Sequence, residues 1–407
     1  MQITHAQNQS DLLEIADLKG KIFKRATYFE FYEERMRFQM MDPWFKPEHV
    51  LIIRKNGQII SQVTIFERPL RFGPAIVKLA GIGDVLTIPE CRGKGYSGHL
   101  MNVAMEYMKN NRFDLTMLFG IPNYYHKFGY IEAMNFYQLE LFNTNLKLDQ
   151  SKYFVREFTP DDLPAMLQLY QANIRHCHLV VDRTVKYLQS KVIHPAHLII
   201  LTDSANRLVG YANVWDPISN RFTVIEAISE NQEVSWALLS EILKRKPDTD
   251  PSVTIKMSPH IPFVRHIRGL GSELRIRYFR EGEGKGMLAI IDLCQLMQKL
   301  KPLLNARLAA SRFYHFSGRL EIQSQHSIEL LFENGILQTC KPAPKPSTVR
   351  SGLVADFRYF TRNLIGYWSI QDLLNQSSAS ISDKLSLDLL EILFPETNPF
   401  LLPWDYF

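Results

Sequence analysis

The spacing of hydrophobic positions changes several times along the chain, and each change marks an element. Val50 to Arg54 and Gln58 to Phe66 are apolar runs on either side of Asn56-Gly57, the dipeptide that favours a two-residue hairpin. A turn at Phe72-Gly73-Pro74 leads into a further strand, and Gly81 to Ile88, closed by Pro89, predicts a buried one. Leu100, Val103, Ala104, Tyr107 and Met108 then recur at the spacing of one helical face. After the polar break Asn110-Asn111, Leu115 to Phe119 predicts another strand. Between the strand ending at Ile88 and that helix lies Arg92-Gly93-Lys94-Gly95-Tyr96-Ser97-Gly98. The order is strand, glycine turn, helix, strand: a βαβ unit. Residues 1–48 are mostly helical in pattern, with an aromatic-rich segment from Tyr28 to Trp44, and Ala133 to Phe142 reads as the strand closing this first unit.

A fainter copy of the pattern begins near Tyr153. Thr159-Pro160-Asp161-Asp162 is a helix start, with a cap, a proline at the first position and acids in the first turn. Strand-like runs follow at Leu198 to Leu201, Leu208 to Trp215 and Phe222 to Ile228, then a helical stretch from Glu233 to Lys244. Ser252 to Met257 and Glu273 to Phe279 read as further strands. After Ile228, however, there is neither glycine nor arginine where the turn of the first unit has both. Glu281 to Gly286 alternates glycine with charge, but it precedes a strand, Met287 to Ile291, and reads as a mobile hairpin turn rather than a phosphate loop. The third unit opens with a helix from Leu293. Strands at Arg319 to Ile322 and Ser327 to Phe332, a turn at Asn334-Gly335, a proline-rich loop from Lys341 to Ser347 and two more helices, Asp356 to Ile365 and Ser369 to Leu374, follow.

Composition narrows the class. With 407 residues, two or three domains are expected. An apolar content of 46% with 22% charge describes a soluble globular protein, and no apolar run approaches a membrane span. The first twenty residues lack the cationic start and apolar core of a signal peptide, so a cytoplasmic location is expected. Cys91, Cys177, Cys294 and Cys340 form no C-x-x-C pair, which argues against a zinc site or a disulfide framework; no metal is expected. The net charge of +5 is spread without a basic run, so nucleic acid is not an expected partner.

The glycine turn carries the candidate chemistry. Backbone N–H groups at a helix start have no intrahelical partner and point outward. Gly93 and Gly95 let a ligand approach them, and Arg92 and Lys94 add positive charge, so a diphosphate is the natural guest. The P-loop is excluded, because it needs Gly-Lys-Ser/Thr and the chain has Gly-Lys-Gly. Gly93-x-Gly95-x-x-Gly98 does match the dinucleotide fingerprint, but Asp114, the acid near the required distance, precedes its strand. A turn that merely starts a helix is the plain alternative.

Tyr124-Tyr125-His126-Lys127-Phe128-Gly129-Tyr130 resembles the F-Y-x-K-x-G-F signature of the GNAT superfamily of acyl-CoA-dependent N-acyltransferases. Arg92-x-x-Gly95-x-Ser97 resembles that family's R/Q-x-x-G-x-G/A turn, departing at the last small residue. The order of units along the whole chain is similar to the Eis-like subfamily, although Arg92-Gly93-Lys94-Gly95 departs from its frequent R-R-R-G. The resemblance implies a mixed α/β (α+β) fold. Residues 1–148 would be a GNAT domain, 149–291 a degenerate GNAT-like domain and 292–407 a sterol-carrier-protein-like α+β domain.

It also implies roles. Val85, Leu86 and Thr87 would pair with the pantetheine arm of acetyl-CoA, and Arg92, Gly93, Lys94, Gly95, Tyr96 and Ser97 would take its diphosphate. Tyr125 matches the position of the acid that protonates the departing thiolate, while Tyr124 and His126 are taken as packing and surface. In Eis-like enzymes the terminal carboxylate acts as base, which places Phe407 in that role; Asp84, the only acid within its strand, is the other candidate. The aromatic tail Pro399 to Phe407 can equally be an anchor between domains or subunits. The function implied is acetyl-CoA-dependent N-acetylation of a primary amine, an aminoglycoside, a polyamine or a lysine side chain, by a homo-oligomer that the resemblance makes a hexamer. The alternative is a lipid-binding or scaffolding protein working through its third domain.

Overall fold

The computed structural model describes residues 3–23, 40–142, 146, 152–192, 194–216, 219, 221–343 and 351–407. Most of the segment Tyr28 to Trp44 and part of the loop Lys341 to Ser347 lie outside these residues. The architecture is mixed α/β, with three sheets of eight, seven and five strands and helices packed on them. Among the described residues no helix is long and apolar enough to cross a membrane.

The first sheet is built on two long antiparallel strands, Gln58–Phe72 and Ala75–Thr87, which pair from Phe72↔Ala75 to Ser61↔Thr87. Ile65, Val77, Leu79 and Leu115 are fully or almost fully buried there. Ala75–Thr87 also runs parallel to Leu115–Leu118, from Leu79↔Leu115 to Ile82↔Leu118. The helix Tyr96–Asn110 crosses between these two strands, burying Leu100, Met101, Ala104 and Met108 on one face as the spacing requires.

Two strands stand elsewhere than their sequence order suggests. Phe136–Leu141, expected to close the first unit, lies in the second sheet between Val253–Ile255 and Ser272–Arg277. Met287–Ile290 makes the reverse exchange, entering the first sheet between Leu115–Leu118 and Ile131–Glu132. The reason is geometric. The chain leaving Glu132 crosses into the second sheet, and Met287–Ile290 takes the place beside Leu115–Leu118. His178–Val181 is also drawn onto the first sheet, against Leu70, Arg71 and Phe72.

The second sheet repeats the helix-over-strand layout with the helix Gln232–Arg245 after the strand Arg221–Ser229. The third sheet, five strands from Gly318 to Ile381, packs against the helix Leu293–Ala309, whose Leu296, Leu300, Leu304 and Leu308 join the core of the first sheet. Across that packing Cys294 and Cys340, far apart in sequence, approach to 3.4 Å between their sulfur atoms. All four cysteines are free thiols.

Candidate active site

Pairing between Ala75–Thr87 and Leu115–Leu118 ends at Ile82↔Leu118. Beyond it, Gly83, Leu86 and Thr87 keep their partners on Gln58–Phe72, but Gly83 to Thr87 have no strand on the other edge among the described residues. A bulge falls here. The register steps from Thr64↔Gly83 to Gln62↔Leu86, and Asp84 takes a left-handed φ of 51°. The strand is thus bent open at Asp84-Val85, and its free edge runs straight into the glycine turn. Val85 and Thr87 are partly exposed and Leu86 is buried.

The turn is shaped by two left-handed glycines, Gly93 at φ 75° and Gly95 at φ 80°, the latter capping the helix without any side-chain bond. The first intrahelical bond runs from His99 N to Gly95 O (3.1 Å), so the N–H groups of Tyr96, Ser97 and Gly98 have no acceptor within the helix. Arg92, Gly93, Lys94 and Gly95 are exposed, and Tyr96 and Ser97 partly so. Arg92 Nε donates to Thr87 O (3.2 Å) and Lys94 Nζ to Glu90 O (3.0 Å), bonds that hold both cations beside the helix start. All nine residues expected to bind a cofactor therefore lie on one continuous strand edge, turn and helix start.

Tyr125 begins the short turn Tyr125–Phe128 and is 5% exposed. Its ring lies on Gly120, where an added Cβ would stand 2.1 Å from Cε2; only glycine fits beneath it. The hydroxyl has no hydrogen-bond partner among the described residues. Burial, with a smaller contribution from Tyr124, pushes its pKa up to about 12. Tyr124 does more than pack. Its hydroxyl meets Ser97 Oγ at 2.6 Å, joining this turn to the helix start, while Lys127 stands over its ring at 4.3 Å. His126 is not a plain surface residue either, since its Nε2 lies 3.1 Å from the fully buried Glu132.

Asp84 belongs to this strand, and Phe407 packs against it. The Asp84 carboxylate forms a buried ion pair with Lys19 at 2.5 Å. The Phe407 ring covers Gly81, where a Cβ would be 2.5 Å from it, and its carboxyl carbon stands 3.7 Å from the Cβ position of Gly83. The ring stacks on Phe66 (5.5 Å between centroids) and packs against Phe119. What holds this tail lies far from it in the chain. Arg183, fully buried, binds Asp405 (2.9 Å) and Glu226 (2.6 Å), with Tyr211 donating to Glu226 and Trp404 to Lys191 O. The tail is thus tied to the second sheet and ends on the first.

In the second unit the strand Arg221–Ser229 meets its parallel neighbour at Val224↔Ile255, and beyond it Ala227 N donates to Met257 Sδ (3.1 Å). At the helix start Asn231 accepts from Val234 N, and Glu230 pairs with Arg207, so a carboxylate stands where the first unit presents cations. Among the described residues no three His, Cys, Asp or Glu side chains are grouped to hold a metal.

The family of the acetyltransferase (GNAT) domain matches residues 4–133. This chain carries a GNAT domain. No curated protein matches the sequence. Among solved structures, a GCN5-related N-acetyltransferase from Kribbella flavida is similar at 15% identity with a TM-score of 0.73, covering 100% of this chain and 98% of that one. A second, from Anabaena variabilis, is similar at 15% identity and 0.73 over 98% and 99%. Eis1 from Mycobacterium abscessus is similar at 14% identity and 0.63, again over 98% and 99%. At these identities the likeness is one of fold, and it extends beyond the GNAT domain to the whole length.

Proposed function

We propose that the protein is an acetyl-CoA-dependent N-acetyltransferase whose acceptor is a primary amine. One observation carries the reading: the strand edge freed at Gly83 to Thr87 leads directly into cation-flanked, unbonded N–H groups at a helix start. That donor set suits a linear amide arm followed by a diphosphate. Bound acetyl-CoA supplies the activated acyl group as a thioester.

The residues divide the work. Val85 to Thr87 offer main-chain partners along the free edge, and Arg92, Lys94 and the N–H groups from Gly93 to Ser97 take the diphosphate. Tyr125 supplies the proton that the leaving thiolate needs; its raised pKa keeps it in the donating form throughout the working range. The attacking amine must first lose a proton. Asp84 is already paired with Lys19 in a buried ion pair, so the Phe407 carboxyl group beside Gly83 is the favoured acceptor. We further propose that the second unit carries no cofactor and that the functional form is a homo-oligomer. A lipid-binding role for the third unit has less support. The cavity of about 640 Å³ against it is lined by Arg280, Glu281, Arg362, Asp372 and Glu396 as well as aromatic rings, which is poor company for an acyl chain.

Thiol release from acetyl-CoA in the presence of a panel of primary amines tests the proposal. Release that requires an amine supports it. Acetyl-CoA binding without amine-dependent release across polyamines, aminoglycosides and lysine peptides would overturn it.

A further inference from the structure

Glu132 is a carboxylate that the proposed reaction does not use, and it is 0% exposed. Burying such a group costs several kcal/mol unless partners offset it. Its partners come from three separate parts of the chain. Oε1 accepts from the backbone N–H groups of Gly282 (3.1 Å) and Gly284 (2.9 Å), and Oε2 lies 3.1 Å from His126 Nε2. Arg362, from the third unit, donates from Nε to Glu132 O (2.7 Å) and brings Nη2 to 3.8 Å from Oε2.

The loop from Glu281 to Gly286, expected to be a mobile turn, is in fact clamped. Gly284 O accepts from Gly120 N (2.7 Å) and Gly282 O from Asn123 N (3.1 Å). An added Cβ at Gly284 would stand 2.4 Å from Ile121 O, which explains glycine at that position. The segment it grips, Gly120 to Asn123, is the bed on which the Tyr125 ring lies, and His126 is the next residue in the chain.

We propose that Glu132 is a positioning residue for Tyr125, fixing the bed beneath its ring through the glycine loop and the turn that carries it through His126. This rests on the reading of Tyr125 as proton donor. Arg362 makes the third unit part of the same support, so the donor's placement depends on chain more than two hundred residues away.

A double-mutant cycle on the full chain tests this. Glu132→Gln keeps the shape and one acceptor oxygen but removes the charge that His126 and Arg362 face. It should lower kcat about tenfold with the KM for acetyl-CoA unchanged, because the diphosphate site lies on other residues. In a Tyr125→Phe background the same change should cost nothing further. Wild-type kcat in Glu132→Gln, or an undiminished loss in the Tyr125→Phe background, would overturn the proposal. Wild-type turnover in Tyr125→Phe alone would instead overturn the donor reading, and the role of Glu132 with it. Should Glu132→Gln fail to fold, His126→Ala removes one arm of the same support and gives the cycle with the same outcomes.

Discussion

At the scale of single residues, the site depends on glycines, at Gly81 and Gly120 because anything larger would collide, and on a buried phenol. Gly95 has open space around its Cβ position but a left-handed φ of 80°, so Gly95→Glu should cost about 1–2 kcal/mol of local strain, leaving a folded protein with a carboxylate where a diphosphate belongs. Tyr125→Phe keeps the ring on Gly120 and removes the proton, and turnover should fall on the order of 10²-fold with acetyl-CoA affinity unchanged in calorimetry. The pKa shift gives this a second edge. A tyrosine raised to about 12 stays protonated well beyond its ordinary value near 10, so its ionisation cannot reduce turnover between pH 8 and 10. A falling limb in that window that disappears in Tyr125→Phe would contradict the raised pKa while leaving Tyr125 as the donor. The sequence showed the residues of the turn and Tyr125, because both motifs are local. It could not show Glu132, whose partners His126, Gly282, Gly284 and Arg362 meet only in the folded chain.

At the scale of elements, the opened strand is the device, and its seating of Phe407 can be probed from the strand itself. Gly81→Ala puts a methyl 2.5 Å from the Phe407 ring, so the ring must leave its place. Turnover should drop at least tenfold while acetyl-CoA still binds; unchanged turnover would show that Phe407 is only an anchor. Two histidines make the elements around the strand sensitive to acid. Burial is the main cause holding His49 down to about 4 and His178 down to about 3, so both stay neutral in the folded protein. The unfolded chain takes up their protons below about pH 6.5, so stability is full above that value and falls as pH drops toward 4. Each contributes up to about 1.4 kcal/mol per pH unit in that window. The melting temperature should fall between pH 6.5 and 4.5, and His178→Gln should flatten the slope. Strand and helix periodicity were legible along most of the chain. The exchange of Phe136–Leu141 and Met287–Ile290 between sheets was not, because an apolar strand carries no mark of which sheet it will enter.

At the scale of the whole molecule, three units share one site. The second anchors the tail through Arg183, Asp405 and Glu226, and the third reaches Glu132 through Arg362. Breaking a buried charge network by removing one member costs about 3–5 kcal/mol. Asp405→Ala should therefore lower the melting temperature and, by releasing the tail, reduce turnover more than it reduces acetyl-CoA affinity. Extending the chain beyond Phe407 with a short Gly-Ser tag should likewise cripple turnover while leaving binding intact. The aromatic tail was conspicuous in the sequence, yet its anchor was not, since Arg183 lies more than two hundred residues before Asp405. The lack of glycines at the second unit's helix start could be read from the sequence; that Asn231 caps this start and Glu230 pairs with Arg207 could not. The most direct measurement is a calorimetric titration of acetyl-CoA into wild-type protein and into Gly95→Glu. The account predicts saturable binding at one site per chain in the wild type and none in the folded variant. Two sites per chain, or equal binding by Gly95→Glu, would contradict it.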